Sequence, residues 1–370
     1  MVTCESVRLD ECQCKRGGVM KKWLWVILIM ILLATVAACG NDNEALAVQE
    51  AVEKNERVKD MPVPGWEPES EFDNTYPLTG IGTDEAVNHR VQGVMIENSS
   101  SARPQSGLYL ADVVYEVLSE GNITRLLAFY HSQEPERIGP VRSARDYYIH
   151  LNNGYDAVYT SAGGSPDAFS MMERGEVAFV NGLTYDGQFL ERWSERSAPH
   201  NLYTSYEGLT GAAADMGYEL EDRDTPELPF TEEQDVDGEE AEHVHVSYGS
   251  TQNNIDYAYD EEAGGYIRSA GGEQMNDLET GEPVTPRNVF IVEADHRVID
   301  DVGRRDIDIE SGGPAYLIQD GVAIRAEWQN VDGVILPYHD GEPLSFLPGQ
   351  TFINFVQSGG GGIDAHVTIN

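Results

Sequence analysis

The residues best suited to chemistry lie between positions 137 and 167, in the run RIGPVRSARDYYIHLNNGYDAVYTSAGGSPD. Arg142 and Arg145 flank Ser143 just ahead of a helical pattern, and Ser143 with Asp146 forms the Ser-x-x-Asp capping pattern. Ser143 is therefore expected as the N-cap of a helix that stops at Asn153-Gly154. Cations at the positive end of a helix dipole cost roughly 0.3–1 kcal/mol each, so this turn calls for a negative partner. The partner is either a ligand or carboxylates of the chain itself. A second turn follows an apolar strand: Gly163-Gly164-Ser165-Pro166, with Ser165 suited to the N-cap and Pro166 to the first helical position. Glycines allow a ligand close to main-chain N–H groups, so Arg142, Ser143, Arg145, Gly163, Gly164 and Ser165 form a candidate cradle for an anion or a carbonyl group.

Other groups could act beside this cradle. Residues 188–205 (QFLERWSERSAPHNLYTS) show no clean period and read as a long loop. In it, Trp193 offers a face for a sugar ring, and His200 is a candidate general base, although a solitary histidine is more often structural. Upstream, two apolar strands flank the hairpin turn Ser119-Glu120-Gly121-Asn122. Strand parity is expected to bring Glu116 and Arg125 to one face, either as an ion pair or with Glu116 turned toward the arginine-rich segment. Glu116 and Glu120 are the weak carboxylate candidates for acid/base catalysis.

These observations leave two readings. One is a binding protein whose arginines and glycine N–H groups meet an anion while Trp193 meets a ring. The other is a hydrolase or lyase on cell-wall glycan or a phosphodiester, using Glu116 or Glu120 with His200. The chain has no Walker loop, Gly-x-Ser-x-Gly elbow or His-Glu-x-x-His, which removes support for the commonest enzyme classes. No cofactor or metal site is expected: His243 and His245 share a strand face, but two ligands do not make a site.

The elements that position these residues carry a resemblance. PVRSAR and AGGSP, with PQSGLYLADVVYE upstream and APHNLYTS downstream, resemble the YerB-like bacterial lipoproteins. The resemblance covers residues 76–356. It implies an architecture and a cellular location, and no reaction, since the domain of that family is catalogued as of unknown function.

The amino-terminal sequence agrees with such a location. Residues 20–39 (MKKWLWVILIMILLATVAAC) combine two lysines, a short apolar run and small residues before a cysteine, the pattern of a secretory signal. Val-Ala-Ala-Cys resembles a lipoprotein processing box, so Cys39 is the expected lipidated residue, at the extracytoplasmic face of a bacterial membrane. Residues 1–19 are expected to be a mis-assigned leader, with Met20 the true start. Composition narrows the partners. With 64 acidic residues against 24 basic ones, the formal net charge is −40, which disfavours nucleic acid. An anionic ligand, cell-wall glycan or an envelope protein remains, together with the membrane through the anchor. Every lysine lies at or before Lys59, so the folded part keeps its cations as arginine.

The expected fold class is α+β: an α/β domain with a mixed sheet, then a mostly β domain. The expected order is an acidic tether (39–75), the α/β domain (76–225), an acidic linker (226–242), the β domain (243–357) and a mobile glycine-rich tail (358–370). Residues 104–111 are expected as a short helix and residues 204–216 as a longer one ending before Gly217.

Overall fold

The structure is a computed structural model in which residues 72–221, 224–233 and 236–370 are described. The proposed leader, signal segment, Cys39 and most of the tether lie outside the described residues.

The first half supplies β1 (Gln92–Glu97), β2 (Val113–Glu120), β3 (Ile123–Tyr130), β4 (Val158–Ser161) and β5 (Phe179–Asn181). Its helices are α1 (Asp146–Asn153), α2 (Pro166–Glu173) and α3 (Tyr206–Asp215). In the second half, β6 (His243–Val246), β7 (Ile255–Asp260) and β8 (Gly265–Ala270) form a separate antiparallel sheet. Then come β9 (Asn288–Ala294), β10 (Gly313–Gln319), β11 (Val322–Val331), β12 (Val334–His339) and β13 (Thr351–Gln357). The architecture is α+β, with the mixed sheet and the β-rich second half that the pattern predicts. The short helix expected near residue 108 is only a 3-10 turn at Leu108–Leu110.

The two halves share one twelve-stranded sheet, in which β12-β11-β10-β9-β13 continues directly into β2-β3-β1-β4-β5. The seam is β13 lying parallel to β2, with Thr351 opposite Val113 and Asn354 opposite Glu116. Its central strands are buried on both faces, which is why they read as apolar runs rather than alternating patterns. Even-numbered residues of β1 to β3, such as Val94, Val114, Leu126 and Ala128, join a core with α3 and the second sheet. Odd-numbered Met95, Tyr115, Leu127 and Phe129 join a core with α1 and α2.

Two expectations about the connections need correction. In the acidic segment 226–242, Leu228 and Phe230 are buried, and Phe230 packs on Phe346 with ring centroids 6.4 Å apart. Its apolar side chains hold it to the body. The carboxy-terminal residues are not a loose tail either. Gly360, Gly361 and Gly362 adopt positive φ, which glycine alone takes readily, and they turn the chain into Ile363–His366 and then β14 (Val367–Ile369). β14 pairs antiparallel with β6, and Ile363 and Val367 are buried.

Candidate functional site

The second turn forms as its residues predict. β4 leads into Gly163 at φ +81°, a conformation that favours glycine, and Ser165 caps α2 by accepting from Ala168 N–H at 3.2 Å. The first turn differs from expectation. Helix α1 begins at Asp146 with Arg145 in the N-cap position and no side-chain cap. Ser143 instead donates its hydroxyl to the Ala162 carbonyl at 2.9 Å, and its own carbonyl accepts from the Arg125 guanidinium at 2.6 Å. A tertiary acceptor on the second turn replaces the local cap.

Three main-chain hydrogen bonds lace the two turns together: Ala162 N–H to Arg142 O (3.0 Å), Ala144 N–H to Gly163 O (2.9 Å) and Ser165 N–H to Ala144 O (3.2 Å). Of the expected cradle, the N–H of Ser165 is thus spent on the fold, as is that of Arg142, which donates to Met95 O at 2.8 Å. Those of Gly163 and Gly164, both half-buried, meet no acceptor among the described residues.

The negative partners of the arginines are carboxylates of the chain. Arg142 pairs with Glu97, whose Oε2 also lies 3.8 Å from His200 Nδ1. Arg145 and Arg125 both pair with Glu120, Arg125 at 2.9 Å. Burial, the largest influence, pulls Arg145 below its ordinary pKa. Glu120 reaches this face because of a β-bulge between Leu118 and Glu120, which sets Glu120 opposite Ile123 and so on the face of Arg125.

Glu116 lies elsewhere. The register sets it opposite Leu126 and sets Arg125 opposite Val117, so Glu116 and Arg125 point to opposite faces of the sheet. The expected pair does not exist. Glu116 is fully buried, paired with the equally buried Arg268 of β8, and accepts from Asn98 Nδ2 at 2.9 Å and Thr124 Oγ1 at 2.7 Å. Burial pulls Arg268 down, but the field of Glu116 outweighs it with help from Tyr257, and the guanidinium pKa stands above its ordinary value. A carboxylate in this position cannot touch a polymer.

The loop with Trp193 and His200 contains a two-residue hairpin, Glu191–Arg192 against Leu202–Tyr203. The Trp193 ring meets Tyr203 edge to face at 5.7 Å, with the Arg137 guanidinium 5.2 Å and that of Arg196 6.0 Å from its centroid. Arg196 is held by the Ala102 and Pro104 carbonyls at 2.5 and 2.6 Å, and no carboxylate pairs with it among the described residues. The structure therefore brings Arg142 and His200 together at Glu97, laces the Arg142 turn to the Gly163-Gly164 turn, holds Trp193 against Tyr203 between Arg137 and Arg196, and sets Glu116 apart. Among the described residues no group of three or more His, Cys, Asp or Glu is placed to hold a metal, and no helix is long and apolar enough to cross a membrane.

Sequence reasoning missed Glu97, Asn98, Arg103 and Arg268. For Arg268 a signal existed: it shares the inward parity of Tyr266 and Ala270 on β8, and an inward cation demands a buried counter-ion.

Comparison with known proteins places these elements in a family. The family model described as "Protein of unknown function (DUF3048) N-terminal domain" matches residues 78–219, and the corresponding C-terminal domain matches residues 244–353. The chain is 41% identical over 340 residues to the Bacillus subtilis (strain 168) protein named "Putative lipoprotein YerB", covering 91% of this chain and 96% of that one. It also resembles the crystal structure of YerB protein from Bacillus subtilis, with a TM-score of 0.74 and 44% identity over 80% of this chain and 100% of that chain.

Proposed function

The chain belongs to the DUF3048 family, and from that membership we propose that it is a lipid-anchored binding protein at the outer face of the bacterial cell membrane. The name of the Bacillus subtilis relative and the Val-Ala-Ala-Cys box ahead of position 40 support the anchor at Cys39. The ligand carries an anionic group or a glycan ring and meets the surface of Arg142, Gly163, Gly164, Trp193 and Arg196. One observation carries this reading: Arg196 lies beside Trp193, held by two carbonyl oxygens and close to the Tyr203 hydroxyl, and no carboxylate pairs with it among the described residues of a chain of net charge −40. A cation without a carboxylate next to an aromatic ring is a ready anion contact.

The catalytic alternative loses its groups. Glu116 is sealed in the core, and Glu120 is committed to two arginines. His200 beside Glu97 remains as a general base without an acid partner.

The test is co-sedimentation of the full chain, in detergent, with purified cell-wall sacculi. Wild type should pellet without releasing soluble fragments, and Trp193→Ala combined with Arg196→Ala should lower the bound fraction at least about fivefold. Equal pelleting of the variant would refute the site. Release of glycan fragments by mass spectrometry would refute the non-catalytic reading.

A further inference from the structure

A second site lies away from the Trp193 surface. The segment after β1 and the residues after β8 enclose an open cleft of about 380 Å³, with Arg103, Pro104, Gln252, Glu273, Met275 and Asn276 among its walls. This volume falls within the range of small-molecule sites.

The charge beneath the cleft does not balance. Arg103 donates Nε–H to Asn98 Oδ1 (3.3 Å), and its two terminal nitrogens donate to the carbonyls of Asn98 (2.7 Å) and Gln252 (2.8 Å). A guanidinium has five N–H groups, so two remain for another acceptor. No carboxylate pairs with Arg103 among the described residues. The nearest buried carboxylate, Glu116, is committed to Arg268, and Arg268 turns its other terminal nitrogen to the sulfur of Met275, a weak acceptor that also lines the cleft. Arg268 thus holds the one buried carboxylate by contact, while the half-buried Arg103 feels Glu116 only through its field. Burial, then Arg268, pull Arg103 down to about 10, so it stays protonated at any cellular pH. A half-buried cation without a carboxylate partner gains from an anion that completes it. At the rim Glu273 is exposed, and its field reaches Arg103. The cleft therefore offers a half-buried cation and an exposed carboxylate, with the side chains of Gln252 and Asn276 also among its walls.

We propose that this cleft binds a small zwitterion of dipeptide size, with Arg103 receiving its carboxylate and Glu273 its ammonium group. The amides of Gln252 and Asn276 are suited to the peptide group between them.

Isothermal titration of the full chain in detergent with alanylalanine tests the assignment. Alanylalanine amide should bind at least about tenfold more weakly, and N-acetyl-alanylalanine about threefold more weakly, because the Arg103 contact is charge-assisted and half-buried while that of Glu273 is exposed. Arg103→Gln should abolish the preference for acid over amide, and Glu273→Gln should abolish the preference for the free amine. Should Arg103→Gln fail to fold, the two ligand analogues and Glu273→Gln decide the matter without it. Absence of heat at roughly 10 mM, equal binding of acid and amide, or inorganic phosphate binding as tightly as alanylalanine would overturn the proposal.

Discussion

Replacing Arg268 with methionine should destabilise the protein by about 3–5 kcal/mol at neutral pH, because it strands a charged carboxylate in the core. The side chains of Arg268 and Glu116 are both 0% exposed, and they join β8 of the second sheet to β2 of the main sheet. In the variant, Glu116 keeps only the hydrogen bonds from Asn98 and Thr124. Glu116→Gln alone strands Arg268 instead and should also cost several kcal/mol. The double variant Glu116→Gln with Arg268→Met removes both charges and keeps an acceptor for Asn98 and Thr124. It should come back to within about 1–2 kcal/mol of wild type, giving a coupling energy of at least about 2 kcal/mol. Urea unfolding followed by tryptophan fluorescence reads this, since Trp328 is buried in the same sheet, and the m-value checks that the unfolded surface is unchanged. Additive losses, with a coupling below about 0.5 kcal/mol, would refute the claim that the pair acts as a unit.

Asp112 gives a second test. Burial raises its carboxyl from 3.8 to about 6, against the opposing hydrogen bonds from Ser132 and His131. A carboxyl raised on folding contributes most when protonated, so this contribution is present below about pH 4 and is lost as the pH rises through about 6. Relative to Asp112→Asn, wild type should therefore lose about 3 kcal/mol between pH 4 and pH 7; parallel stability curves for the two proteins would contradict the assignment. The carboxy-terminal closure gives another. Deleting residues 363–370 removes buried Ile363 and Val367 and uncovers the edge of β6, and should cost about 3 kcal/mol or more. A truncated chain with an unchanged urea midpoint would show that this segment contributes nothing.

The ion pairs explain how a chain of net charge −40 builds a basic segment at all. Glu120 stands between Arg125 and Arg145, which would otherwise repel one another at the start of α1, and Glu97 neutralises Arg142. Among the described residues, Arg196 and Arg103 have no carboxylate paired with them, and the Gly163 and Gly164 N–H groups meet no acceptor.

Local chemistry determined much of this protein without help from the fold. The turn Ser119-Glu120-Gly121-Asn122 joins β2 and β3, Ser165 and Pro166 start α2, Gly217 follows α3 at positive φ, and the β-rich runs after residue 243 are strands. In each case the deciding interaction lies within a few residues. Tertiary structure decided the rest. Strands buried on both faces carry no alternation that tells one face from the other, so the face of Glu116 was not legible, and the bulge before Glu120 changes parity again. Its true partner, Arg268, is 152 residues away. The N-cap expected of Ser143 gave way to the Ala162 carbonyl, and the glycine-rich end became an ordered strand because β6 offered it an edge. Registers between distant strands set these outcomes, and a register is a property of two segments that neither one encodes alone.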